Sequence, residues 1–186
     1  EGRQWLSNAS LPGLSSETPP LPDEVYAYWA ENSAVTRPGF GGLIVDEFIG
    51  ASESHYAAWA NAWGRLHDTP GFAGKKFYAW CGNMWDEPHS LEFAKKLSQK
   101  DDLFVWEQYL PEGSDEQDAR ERIDRCKSHF AKWKAELPGI EKKMVLCLGY
   151  LSAPPESLNL NPAADYQVYL DMQFHALATA PEFDGV

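Results

Sequence analysis

Two acidic stations, each at the end of an apolar run, are where this chain could do chemistry. GGLIVDEF (41–48) runs from small and apolar residues into Asp46 and Glu47, and DLFVWEQY (102–109) runs into Glu107 between Trp106 and Gln108. Apolar runs of this length read as buried strands. Carboxylates at the C-terminal end of such strands stand where a parallel barrel collects its reactive groups. A pair of them divides the labour of acid–base catalysis: one carboxylic acid protonates a leaving oxygen, and the other attacks or activates water as positive charge develops at the reacting carbon. Their surroundings must then hold the two pKa values apart. Side chains alternate along a strand, so Asp46 and Glu47 cannot both point inward. Glu47 shares a face with Leu43 and Val45, and Glu107 with Leu103 and Val105. Glu47 and Glu107 are therefore predicted as the inward catalytic pair, with Asp46 supporting Glu47 or capping the next loop.

Other polar and aromatic residues follow the same strands. Asn83, Trp85, Asp86 and Glu87 come after KFYAWC (76–81), with Asp86 read first as a helix cap. Trp80, Asn83 and Trp85 are candidate ligand contacts, Gln108 and Tyr109 flank Glu107, and Tyr150 and Ser152 follow KMVLCLGYL (143–151). Ser7 and Asn8 end the first strand candidate and could donate to a hydroxyl. Eight Trp, eight Tyr and nine Phe are many for 186 residues. Phe48, Trp80, Trp85, Trp106, Tyr109 and Tyr150 fall near predicted strand ends, where ring faces suit stacking on sugars; core or rim packing is the alternative. The five histidines lie mostly in helical stretches, without an HxH or HExxH arrangement, and no GxSxG elbow occurs. No metal site and no cofactor are expected.

The elements that must position these residues alternate strand and helix. RQWLSNA (3–9) is a short strand, followed by the Pro/Ser-rich loop LPGLSSETPPLP (11–22) and a helix over 23–34 that Pro22 starts. LIVDEF (43–48) is a strand, and Ser52 caps a helix over 53–67 with Tyr56, Trp59, Ala60, Trp63 and Leu66 on one stripe. The strand 76–81, a helix 88–99, the strand 103–109 and a long helix 115–136, begun by Ser114 with Gln117, come next. A strand 143–151, a helix 163–179 capped by Asn161-Pro162, and a strand beginning at FDGV (183–186) complete the order. Unbroken alternation predicts a parallel sheet with right-handed crossovers. A doubly wound sheet would carry a glycine-rich loop after a strand, whereas RPGFGG (37–42) precedes one. The prediction is an α/β fold of (β/α)8 TIM-barrel type, this chain supplying about six strands and five helices.

Composition sets the bounds. Apolar residues make up 44% and charged residues 24%, a globular balance. A net charge of −12 argues against nucleic acid and anionic membranes and leaves a neutral ligand such as a carbohydrate as the expected partner. No apolar run approaches the roughly 18 residues of a membrane span. Cys81, Cys126 and Cys147 are odd in number, lack metal spacing and read as small buried hydrophobes. The mixed-sign helix 115–125 reads as a solvated face. The chain opens at Glu1 and stops at FDGV. It reads as one barrel domain over 1–186, truncated at both ends, with compartment and oligomeric state left open.

With acids at strand ends and a Trp-rich rim, the chain resembles the barrel glycoside hydrolases, and within them uncharacterised bacterial members. The likeness spans most of the chain in architecture, and in motif only VDEF (45–48) and VWEQY (105–109). It implies cleavage of a glycosidic bond. The largest glycosidase clan places Asn-Glu after strand four and a nucleophilic Glu after strand seven; here Asp46-Glu47 stands for the first. KMVLCLGYL ends without an acid, and Glu156 lies five residues beyond it. A second clan, which includes the α-galactosidases, uses carboxylates after strands four and six, the spacing of Asp46 or Glu47 with Glu107. A non-catalytic carbohydrate-binding barrel, or a lyase or isomerase using a divalent ion, is the alternative.

Overall fold

The computed structural model describes residues 5–48, 50–110, 115–150 and 166–183. Strand and helix alternate through them: β1 (Trp5–Ala9), α1 (Pro22–Ala30), α2 (Ser33–Thr36), β2 (Phe40–Phe48), α3 (Glu53–His67), β3 (Lys76–Cys81), α4 (Pro88–Ser98), β4 (Leu103–Leu110), α5 (Glu116–Glu136), β5 (Met144–Tyr150) and α6 (Tyr166–Ala178). The five strands form one parallel sheet in the order β1-β2-β3-β4-β5. The α/β alternation is as predicted, with five strands and six helices among the described residues.

Three local differences have physical causes. The predicted helix 23–34 is two helices, because the Asn32 side chain accepts from Ala34 N at 2.8 Å and starts α2 afresh. Asp115 caps α5, accepting from Asp118 N at 2.9 Å; Ser114, the predicted cap, lies outside the described residues. The residue before α4 is Glu87, so Asp86 is not its cap; Asp86 belongs instead to a short 3₁₀ turn, Met84–Asp86. Asn161, Pro162 and residues 184–186 of the predicted last strand also lie outside the described residues, and Phe183 ends a 3₁₀ turn.

The chain divides into two compact units, Glu1–Val105 and Trp106–Val186. In the first, strand register fixes which residues share a face: Leu43 pairs with Phe77 and Val45 with Ala79. Phe77 meets Trp29 of α1 edge-on at 5.4 Å, and Phe48 meets Trp59 of α3 at 5.9 Å and Phe93 of α4 at 5.3 Å. Leu43, Val45, Phe48, Phe77, Ala79 and Cys81 thus form the face that packs on α1, α3 and α4, and all are buried. Ile44, Tyr78 and Trp80, at the alternate positions, are only half-buried. Near the N-terminal ends of β3 and β4, the Asp102 carboxylate, 1% exposed, accepts from Trp63 Nε1 at 2.7 Å and from Phe77 N at 2.8 Å, and meets His67 Nε2 at 2.8 Å. A buried carboxylate persists when each lone pair has such a donor.

In the second unit the predicted α5 stripe is buried throughout: Ile123, Cys126, Phe130, Trp133 and the following Leu137. Trp106 stacks on Phe130 at 6.0 Å and meets Trp133 edge-on at 6.4 Å, while Phe183 stacks on Phe130 at 4.8 Å. Leu170 and Leu177 of α6 are fully buried, a spacing of two helical turns.

Candidate functional site

The ladder slips at the C-terminal end of β2. Val45 pairs with Ala79 but Phe48 pairs with Cys81, so three steps along β2 match two along β3. The extra residue makes a β-bulge, and Glu47 sits in it with φ of 65°. Among the described residues Glu47 is the only one other than glycine with positive φ. Left-handed backbone brings Cβ against the following carbonyl, which glycine alone avoids.

The bulge reverses the predicted facing. Leu43 and Val45 lie on the helix-packed face, so simple alternation would have driven Glu47 into the helices and Phe48 away from them. The inserted residue puts Phe48 into the core instead, fully buried, and leaves Asp46 and Glu47 exposed. The reason given for Glu47, a face shared with Leu43 and Val45, is therefore corrected: that face packs on the helices, and the slip takes Glu47 off it. Trp106 is buried against α5, so the next residue, half-buried Glu107, lies on the face opposite those contacts.

Asp46 and Glu47 line an open cleft of about 880 Å³. Its other walls are Asn8 to Leu11 at the end of β1, the turn from Gly13 to Ser16, and Tyr28 of α1. No Lys, Arg or His is among these residues. The cleft therefore presents hydroxyls, one amide and two carboxylates, a set of hydrogen-bond donors and acceptors with a group able to hold or give a proton. Asn8 was anticipated at the end of its strand. Ser10, Ser15, Ser16 and Tyr28 were not, although a Ser-rich loop directly after a strand was the available signal.

The remaining predicted residues stand elsewhere. Trp80 is half-buried on β3, at a position alternate to the helix-packed residues. Asn83 lines a smaller cavity of about 190 Å³, with Phe48, Tyr56, Asp86, Glu87 and Ser90 among its walls, and Trp85 is half-buried beside it in the chain. Burial, then the charges of Cys81 and Glu87, pushes the Tyr56 hydroxyl well above the usual tyrosine range. In the second unit, Gln108 donates from Nε2 to the Glu107 carbonyl at 2.7 Å, and Tyr109 is 55% exposed. Burial, then the Glu107 charge, pushes the Cys147 thiol up. The Tyr150 side chain, Ser152 and Glu156 lie outside the described residues. Phe48 and Trp106, expected near a sugar-facing rim, are core residues. Among the described residues no three His, Cys, Asp or Glu side chains are grouped to hold a metal, and no helix is long and apolar enough to cross a membrane.

Comparison of the chain with family models, with curated proteins and with solved structures finds no match.

Proposed function

We propose that this chain belongs to a (β/α)8-type barrel protein of the glycoside hydrolase kind, acting on a carbohydrate in the cleft at the ends of β1 and β2. Sequential strand order without reversal supports the barrel, because a doubly wound sheet reverses its order at a switch point. The packing of α1, α3 and α4 on one face of the first unit's strands supports it too. The observation that carries the function is Glu47: an exposed carboxylate in left-handed backbone, on a bulge, at a strand's C-terminal end, lining a polar cleft. Strain of this kind survives where surrounding structure imposes it, and it gathers at active sites. Glu47 is assigned the proton-transfer role, and Asp46 and the serine hydroxyls bind the sugar.

A binding protein without cleavage is the second reading. It is favoured by the exposure of both Asp46 and Glu47, since a carboxyl that serves as general acid usually sits in apolar surroundings. Hydrolysis of a panel of nitrophenyl glycosides and polysaccharides, run beside glycan-array binding, separates the two. Cleavage that falls by about 10²-fold or more in Glu47→Gln, with array binding retained, is the expected result. Binding without cleavage in the unaltered protein gives the second reading. Neither binding nor cleavage overturns both.

A further inference from the structure

We infer that His55 is the positioning residue that holds the cleft's serine-bearing wall, remote from it in sequence, in its binding shape. The wall is the β1–α1 connection, which supplies Ser10, Leu11, Gly13, Leu14, Ser15 and Ser16 to the cleft. Leu11 buries its side chain, and Leu14 N to Leu11 O and Ser16 N to Gly13 O close short turns, but most of this Pro- and Ser-rich connection is polar. Side-chain donors from the helices also reach its carbonyls. Trp29 Nε1 donates to Ser10 O at 3.2 Å and Trp59 Nε1 to Pro12 O at 3.1 Å. Asn32 Nδ2 donates to Asn8 O at 2.9 Å, just upstream.

His55 closes the turn itself. Its ring is 5% exposed, against Trp59 at 5.6 Å, with Nε2 at 3.2 Å from Gly13 O and 3.1 Å from Ser16 O. Both neighbours of Nε2 are carbonyl oxygens, which only accept, so Nε2 carries a hydrogen and bridges the two ends of the turn. Nδ1 lies 2.7 Å from Ser52 Oγ, and in the neutral ring it accepts that hydroxyl's hydrogen. One imidazole thus ties the first turn of α3 to the turn that presents Ser15 and Ser16. The turn has little slack: Gly13 has φ of +79°, and a Cβ there would fall 2.8 Å from Pro20 Cδ.

The cleft's role as the sugar site rests on the reading above; the ordering of its wall does not, and the two are tested apart. His55→Leu keeps the volume and loses the donor, while His55→Gln keeps an N–H that can reach the carbonyls. Hydrogen exchange is followed at Leu14 and Ser16, whose amides donate to Leu11 O and Gly13 O, with Leu91 and Gln99 of the α4 region as controls. In His55→Leu, exchange at Leu14 and Ser16 should rise about tenfold or more with the controls unchanged, and His55→Gln should restore most of the protection. Unchanged exchange at Leu14 and Ser16, or an equal rise at all four amides, overturns the proposal. On any nitrophenyl glycoside that the protein cleaves, His55→Leu should raise KM with kcat little altered, because the wall binds and does not react. A fall in kcat at constant KM also overturns it. If no glycoside is cleaved, the sugar reading fails alone and the exchange result still decides.

Discussion

Replacing Glu47 by glycine should make the protein more stable. A non-glycine residue in left-handed backbone is disfavoured by about 1–2 kcal/mol, and Glu47 holds φ of 65°. Glycine removes that penalty but brings extra freedom to the unfolded chain, worth about 0.5–1 kcal/mol against it. The Glu47 side chain is exposed, so little apolar burial is lost with it. The net expectation is a gain of about 0.5–1 kcal/mol, a rise in Tm of roughly 1–4 °C for a chain of this size. Glu47→Ala separates backbone from side chain, because it deletes the carboxylate and keeps the Cβ that the backbone resists. In ordinary backbone glycine is less stable than alanine by about 0.5–1 kcal/mol; here the order should invert. Urea and thermal unfolding of the three proteins measure it. Should Glu47→Gly prove less stable than Glu47→Ala, the bulge is not strained and the physical case for a functional Glu47 loses its foundation. A stabilised Glu47→Gly that has also lost glycoside cleavage would show stability given up for a reactive group.

Asp102→Ala should destabilise by about 3–5 kcal/mol in urea unfolding, since it strands the Trp63 and Phe77 donors and the His67 partner in the core; a loss below about 1 kcal/mol would mean that water replaces the carboxylate. Glu107→Gln removes the negative charge that, after burial, holds the Cys147 thiol up, so that thiol's pKa should fall and its alkylation at mildly alkaline pH should quicken; an unchanged rate would place Glu107's charge away from Cys147. Cys126 is raised by burial to about 12. Its folded pKa lies above the unfolded value, so its contribution is intact below about pH 8.5 and drains away as pH climbs toward 12, a loss that Cys126→Ala should abolish in pH-dependent urea unfolding.

Much of the fold was legible because local signals and tertiary packing agree. Ser52 and helical spacing bounded α3 at 53–67, and the apolar run KFYAWC marked β3 at 76–81, as the structure has them. The bulge was not legible. Its usual mark is a glycine in left-handed backbone, and here that position holds Glu47, whose presence reads as ordinary strand. Nor was Asp102: as one of two acids opening a strand it looks like a polar boundary, and only the convergence of Trp63, His67 and Phe77 N shows it buried.

The tryptophans show the same limit from the other side. Their number pointed toward ring faces for sugars, yet Trp29, Trp59 and Trp63 are buried, and each spends its indole N–H on a particular acceptor: Ser10 O, Pro12 O and Asp102. Trp29 and Trp59 bury their rings under β2 and β3 while their N–H groups fasten the loop that walls the cleft. Phenylalanine would fill much of the same space and could not fasten anything. Trp29 and Trp59 thus bear on the candidate site through polar edges rather than stacking faces. Two tryptophans and His55 join the apolar core, which the sequence announces, to the serine-rich wall of the cleft.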